Sequence, residues 1–280
     1  MSFRHQRLER LLKYIRCPNA GTQLHLHWPD KLISENGEKW DIINGVPILY
    51  KNIGSVVDHG NHVSNPICKE AQNIIDSEDG LILNLAAGGS KEQFEYVVEL
   101  ETGIFKNTDI VADVHSLPFI DETFSAVIAL NAFEHFANPF QAAAEIFRVL
   151  KPGGKLFIHT AFLQPLHEAP YHFFNASKHG ILQWFNCFDT QSIRVSDNFN
   201  PIFTLSWIAH ELLLGVEMNS SDLKDSIDKK TISQLAEYWR DPSVRSRPEW
   251  NGFKNIPQIV QEKICAGFEY IGIKNPHSDS

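Results

Sequence analysis

Polar residues stand at the ends of apolar runs along the middle of this chain. Ile82-Leu83 leads to Asn84, and Leu85-Ala86-Ala87-Gly88-Gly89-Ser90 follows. A second apolar run, Tyr96 to Leu100, ends at Glu101; a third ends at Asp113-Val114, and Phe124 to Leu130 ends at Asn131. Ionised carboxylates accept hydrogen bonds and Asn both accepts and donates them, so the set suits a ligand rich in hydroxyl and amino groups. Glu101 follows Asn84 by 17 positions (101 − 84). An acid near that spacing accepts bonds from ribose hydroxyls in nucleotide-binding folds. Glu99, on the same strand face, is the alternative. Asp113 could equally cap the turn after it, and Asn131 could satisfy only local backbone groups. Further on, Glu134-His135 and the stretch His167, Glu168, Tyr171, His172, Phe173, Phe174, Asn175, His179 gather imidazoles among aromatics. That composition suits proton transfer behind an apolar shield. His172 is the first choice of base, and His135 the second.

These residues need a scaffold that brings strand ends together. Strands are expected at 81–85, 96–100, before Asp113, at 124–130 and at 155–161. Asn138 caps a helix that runs to Leu150, with Pro139 in its first turn and Gln141 completing the capping pattern. Its expected buried stripe is Phe140, Ala143, Ala144, Phe147 and Leu150. Lys151-Pro152-Gly153-Gly154 turns the chain into the next strand. Strands alternating with helices require parallel pairing, and open parallel sheets bind ligands at their carboxyl edge. Another helix is expected from near Asn175, then a strand containing Ile193 and Val195, helices over 202–218 and 232–239, and a last strand over 266–273.

The pieces Asp113-Val114 with Leu117-Pro118-Phe119, then Glu134-His135, then Arg148-Val149-Leu150-Lys151-Pro152-Gly153-Gly154 stand in one order and spacing. In this the chain resembles the class I S-adenosylmethionine-dependent methyltransferases, in particular the small-molecule group called methyltransferase type 11. The resemblance implies a Rossmann-like, doubly wound, mostly parallel seven-stranded α/β sheet with an antiparallel last strand. It implies S-adenosylmethionine as cofactor, with Asn84, Leu85, Ala86 and Gly88 against its methionine and ribose. Asp113 would take the adenine amino group, Val114 would offer its N–H to the ring, and Asn131 would lie beside the methyl donor. His135 would shape the pocket floor. The implied reaction is methyl transfer to an oxygen or nitrogen of a small molecule or glycan. The family has an acid where this chain has Asn84, and glycines where it has Ala86 and Ser90. A left-handed Ala86 would cost on the order of 1 kcal/mol. A catalytically degenerate cofactor-binding or partner-activating protein is therefore the alternative, and a protein-interaction subunit a third.

Residues 1–52 resemble the small zinc-ribbon domain that activates some methyltransferases or is fused ahead of them. Cys17-Pro18 and the closing Asn44-Gly45-Val46-Pro47-Ile48-Leu49 carry that likeness. Paired thiolates are missing, with only Cys17 and the nearby His25 and His27, so no metal is expected. Residues 53–79 read as a linker with a leading helix, and 80–280 as the methyltransferase domain with a helical insertion at 198–264. The insertion carries Trp207, Tyr238, Trp239 and Trp250 and reads as a cap or a homodimer surface.

The formal net charge of −9 argues against general nucleic-acid binding. Hydrophobic content of 43% over 280 residues supports a full core. Four scattered cysteines and no signal-peptide pattern point to the cytoplasm, and no run is long enough to span a bilayer. No HExxH, G-x-S-x-G or G-x-G-x-x-G pattern supports a metal hydrolase, serine hydrolase or dinucleotide oxidoreductase.

Overall fold

The structure is a computed structural model describing residues 3–27, 29–50, 56–64, 67–241, 243, 246–248 and 250–265. It divides into two compact units, one of Met1–Phe162 and Tyr171–Ile193, the other of Leu163–Pro170 and Arg194–Ser280.

The first unit begins with helix α1 (Phe3–Leu11) and strands β1 (Leu24–His27), β2 (Lys31–Ser34), β3 (Lys39–Ile43) and β4 (Val46–Leu49). Then come β5 (Asp58–Gly60), α2 (Lys69–Ser77), β6 (Ile82–Leu85), β7 (Val97–Glu101), β8 (Ile104–Phe105) and β9 (Ile110–Ala112). The last elements are β10 (Phe124–Leu130), α3 (Pro139–Val149), β11 (Leu150–His159) and α4 (Lys178–Trp184). Nine strands form one sheet in the order β1-β2-β3-β4-β9-β7-β6-β10-β11. The β4-β9-β7-β6-β10-β11 stretch is parallel throughout, and β1 to β4 are antiparallel. The α/β Rossmann-like core is therefore present, in a sheet of nine described strands instead of seven. Ile193 and Val195 lie in irregular, exposed backbone, with no strand partner among the described residues. Residues 266–273 lie outside the described residues.

The N-terminal segment, expected as a unit of its own, continues this sheet. Asn44 and Gly45 both adopt positive φ, 53° and 81°, as a tight two-residue hairpin turn demands. That turn sends β4 along the free edge of β9, with Ile48 opposite Val111 and Leu49 opposite Ala112. Leu8, Leu11, Ile15, Leu24, Leu32 and Trp40 are buried in the same apolar cluster as Leu83, Val98 and Val127. The Arg7 guanidinium grips both oxygens of Asp109, at 2.6 and 2.7 Å, with both side chains buried.

Each face of the sheet has its own layer. Leu83, Leu85, Val98, Leu100 and Ala129 point to the side where Ala142, Ala143, Ile146 and Val149 of α3 pack. Ile82, Val97, Ala126 and Ile128 point to the other side, against Ala71 and Ile74 of α2. The buried stripe of α3 is thus one position out of phase with expectation, and Phe140 and Phe147 are about half exposed. Small residues at 142 and 143 let the helix lie close to the sheet, where two phenyl rings would hold it off.

The second unit is helical: α5 (Pro201–Asn219), α6 (Ser221–Asp228), α7 (Ile232–Arg240), α8 (Trp250–Lys254) and α9 (Gln258–Ile264). Val216, Leu223, Ile227, Ile256 and Val260 form its core. Gly215 permits that packing, since a Cβ there would meet Val260 Cγ1 at 2.6 Å. Among the described residues no helix is long and apolar enough to cross a membrane.

Candidate active site

Strand pairing carries the polar residues to one edge of the first unit's sheet. Asn84 pairs with Glu99, Glu101 with Val111, and Val111 with Ile48. Paired residues of parallel strands share a face and residues two apart repeat it. Asn84, Glu99, Glu101 and Asp113 therefore all leave the face covered by α2.

The loop after β6 holds Ala86 at φ 51° and Gly88 at φ 61°. Ala86 is thus in the left-handed region, with the strain anticipated for a Cβ there. Gly88 N–H donates to Glu101 Oε1, and Thr102 N–H donates to Glu101 Oε2 at 3.1 Å. Burial drives the Glu101 pKa up, and these two bonds oppose that rise. Each carboxylate oxygen has further acceptor capacity for a ligand hydroxyl. Asn84 is nearly buried, and its amide makes no hydrogen bond to a described residue. Such a group is a natural partner for a ligand. Leu85 is fully buried in the core, so only its backbone faces the edge.

A strap from the stretch expected to be linker lies on this loop. Gly89 N–H donates to Ser64 Oγ at 2.9 Å, and Ser64 N–H donates to Gly89 O at 2.9 Å. A Cβ on Gly89 would stand 1.9 Å from the His62 carbonyl oxygen, and one on Gly88 would stand 2.2 Å from Ser64 Oγ. Gly89 therefore has no room for a side chain against backbone, while a side chain at 88 would displace that of Ser64. The strap is anchored where β5 pairs with β8 and the His59 ring stacks on Phe105 at 4.2 Å. Nothing in a polar, irregular sequence singled out Ser64.

Glu99, the alternative to Glu101, is sealed below the edge. Ser90 Oγ donates to its Oε2 at 2.8 Å, and its Oε1 has no hydrogen-bond partner among the described residues.

Asp113 does two things. Its Oδ1 accepts from the N–H of His115 at 2.9 Å, capping the short turn Val114–Ser116, and from His115 Nδ1 at 2.6 Å. His115 Nε2 accepts the Asn138 N–H at 3.2 Å, so Nδ1 carries the ring proton. The His115 side-chain bond, foremost, holds the Asp113 pKa below the usual carboxylate range. Oδ2 makes no hydrogen bond to a described residue and remains for a ligand. His115 thereby links the cap of α3 to Asp113, a connection the sequence did not signal. Val114 is buried beside it.

Asn131 ends β10 in left-handed backbone, φ 52°, with an exposed side chain, and its N–H donates to His159 O at 2.9 Å. Beyond it, Glu134 is fully buried: Oε2 accepts from the Thr160 hydroxyl at 2.9 Å and Oε1 has no hydrogen-bond partner among the described residues. The Glu134 carbonyl accepts the N–H groups of Phe173 and Phe174 at 2.8 and 3.2 Å. His135 Nδ1 lies 2.9 Å from the Tyr171 carbonyl, so it donates there. The His172 ring stands 5.7 Å from that of His135, and its Nε2 lies 3.3 Å from Asn175 Oδ1. The structure thus brings His135 and His172 together and ties His135 to the Tyr171–Asn175 loop. His167 and Glu168 belong to the second unit.

Residues 90–158 match a family model described as a methyltransferase domain. That stretch, about a quarter of the chain, is similar to methyltransferase domains. The matched stretch covers β7 to β11 and carries Glu99, Glu101, Asp113, Asn131 and His135. Over 129 residues the chain is 35% identical to cycloartenol-C-24-methyltransferase 1 of Oryza sativa subsp. japonica, covering 45% of this chain and 36% of that one. It is 38% identical over 69 residues to the ubiquinone/menaquinone biosynthesis C-methyltransferase UbiE of Shewanella pealeana, covering 24% and 27%. The matched segments thus span about a third or less of the lengths of these curated relatives, 36% and 27%. Of solved structures, the [4+2]-cyclase SpnF superposes with TM-score 0.37 at 18% identity, over 50% of this chain and 67% of that one. The match stops short of Asn84, Gly88, Gly89 and the N-terminal strands.

Proposed function

We propose that this chain is an S-adenosylmethionine-dependent methyltransferase acting on an oxygen or nitrogen of a small molecule or glycan. The observation that carries this reading is the row of Asn84, Glu101 and Asp113 at the carboxyl edge of adjacent parallel strands, behind a tight loop with glycine at 88 and 89. The donor set fits the cofactor: Asp113 Oδ2 would hold the adenine amine, Glu101 the ribose hydroxyls, and Asn84 with the loop backbone the methionine end. The bound sulfonium supplies an electrophilic methyl group. The chain's part is to align the acceptor, exclude water and remove a proton where the acceptor carries one. His172 is the proposed base. His135, whose lone pair is on Nε2 when the ring is neutral, is proposed to hold the loop that carries His172.

Calorimetry with S-adenosylhomocysteine tests the reading. The chain should bind it, and Asp113→Ala and Glu101→Ala should each weaken binding by about 1–3 kcal/mol, the worth of hydrogen bonds to a charged group. Absence of binding by the unaltered chain at millimolar ligand would falsify the reading. His172→Ala should lower turnover and leave that affinity nearly unchanged. The two named relatives carry carbon methylation in their names, so acceptor screens should include carbon nucleophiles beside alcohols and amines.

A further inference from the structure

The face shared by Glu101 and Asp113 continues onto the N-terminal segment. Glu101 stands opposite Val111, and Val111 opposite Ile48. One pleat further along, that face carries Asp113 at the end of β9 and Tyr50 at the end of β4. Tyr50 is half-buried, and its phenol makes no hydrogen bond to a described residue. Burial first, then the Asp113 carboxylate and the Tyr171 phenol, push its pKa up, as expected for a neutral phenol beside Asp113. In the strand order β4-β9-β7-β6-β10, Tyr50 is on the far side of Asp113 from Asn131. Its place beside Asp113 is at the end of the site that takes the ligand's base.

We propose that Tyr50, supplied by the N-terminal segment, is a specificity-determining residue that flanks the adenine whose amine Asp113 accepts. The inference rests on the adenosylmethionine reading and adds a wall to its pocket. A flat purine presents a π face, and an aromatic ring against such a face contributes binding in a hydrogen-bond-independent way. Asp113 then reads the edge of the base and Tyr50 its face. The matched methyltransferase segment, residues 90–158, contains only the first of these.

Calorimetry on the full chain separates the possibilities. Tyr50→Leu should weaken S-adenosylhomocysteine and 5′-methylthioadenosine alike, by roughly tenfold, because both carry the adenosine. Tyr50→Phe keeps the ring and should stay within about threefold of the unaltered chain, since only a hydroxyl changes. Unchanged affinity in a folded Tyr50→Leu, or an equal loss in Tyr50→Phe, overturns the proposal. A readout on the unaltered chain covers the case in which Tyr50→Leu does not fold. Nitration of Tyr50 by tetranitromethane, mapped by mass spectrometry, should be slowed by 5′-methylthioadenosine and not by L-methionine. Equal nitration with and without 5′-methylthioadenosine also overturns it. Failure of the unaltered chain to bind S-adenosylhomocysteine strikes the methyltransferase reading itself, whereas binding with no Tyr50 effect strikes only this inference.

Discussion

Glu99 is almost fully buried, with Ser90 and Asn107 around it and the Arg7–Asp109 pair alongside. Burial foremost, and then the Asp109 and Glu101 carboxylates, raise its pKa from 4.5 to about 8 against the opposing pull of Ser90 and Arg7. An unfolded chain releases this proton near pH 4.5, while the folded one keeps it until about pH 8. Between those values the unfolded state binds fewer protons, so stability from this group is full below pH 4.5 and is lost as pH rises to 8. The slope is on the order of 1 kcal/mol per pH unit at most. Urea midpoints should therefore fall from pH 5 to pH 8, and Glu99→Gln should flatten that fall; an identical fall in the variant would place the titration elsewhere. Asp113 and Glu101 were legible in the sequence because each ends an apolar run, and strand ends gather at one edge in a parallel sheet. Tyr50, Ser64 and His115 were not. Their proximity to the site is created by pairing and turns that no local pattern encodes.

At the scale of elements, the segment from β9 to β11 was the most legible. Asn138 Oδ1 accepts the Gln141 N–H at 3.2 Å and Pro139 opens the helix, as the local sequence demands. Asn138→Ala should cost about 0.5–2 kcal/mol of stability, read from denaturant midpoints. The phase of α3 was misread because an aromatic pair outweighs two alanines on any hydrophobicity count. Packing distance, which the sequence does not display, favours the alanines against the sheet. Phe147 finds a partner on the surface instead, edge-to-face with Phe188 at 5.3 Å. The strap over the glycine loop is a further element hidden in a polar stretch. Gly89→Ala must displace the His62 backbone, since its Cβ has no room beside that carbonyl. Hydrogen exchange over residues 56–64 should accelerate in Gly89→Ala and stay unchanged in an exposed control such as Gly37→Ala. Protection equal to that of the unaltered chain would mean the strap can yield without loosening.

For the molecule as a whole, the N-terminal segment belongs to the sheet it was expected only to precede. The likeness to a small ribbon domain rested on Cys17-Pro18 and on Asn44-Gly45, which here turns β3 into β4. It could not show that β4 lies parallel to β9, because edge pairing is a property of distant partners. Arg7 joins α1 to the core through Asp109 and also donates to the Phe94 and Val97 carbonyls at 3.1 and 2.5 Å. Arg7→Ala leaves the Asp109 charge buried without its partner, which should cost about 3–5 kcal/mol. Calorimetry of that variant should show the whole first unit melting earlier in one step. An intact later transition for residues 80–160 would instead restore the separate-domain picture.

Biosynthesis gives the Arg7–Asp109 clasp another meaning. Its partners are 102 positions apart. At roughly 5–20 residues added per second, Asp109 is made about 5–20 s after Arg7. Throughout that interval Leu8, Leu11 and Ile15 have no completed sheet to bury against, and β4 has no β9 to pair with. The first fifty residues emerge from the ribosome with apolar side chains uncovered and one edge of β4 unpaired, and a synonymous codon change that slows translation before position 110 would lengthen their exposure to chaperones and proteases.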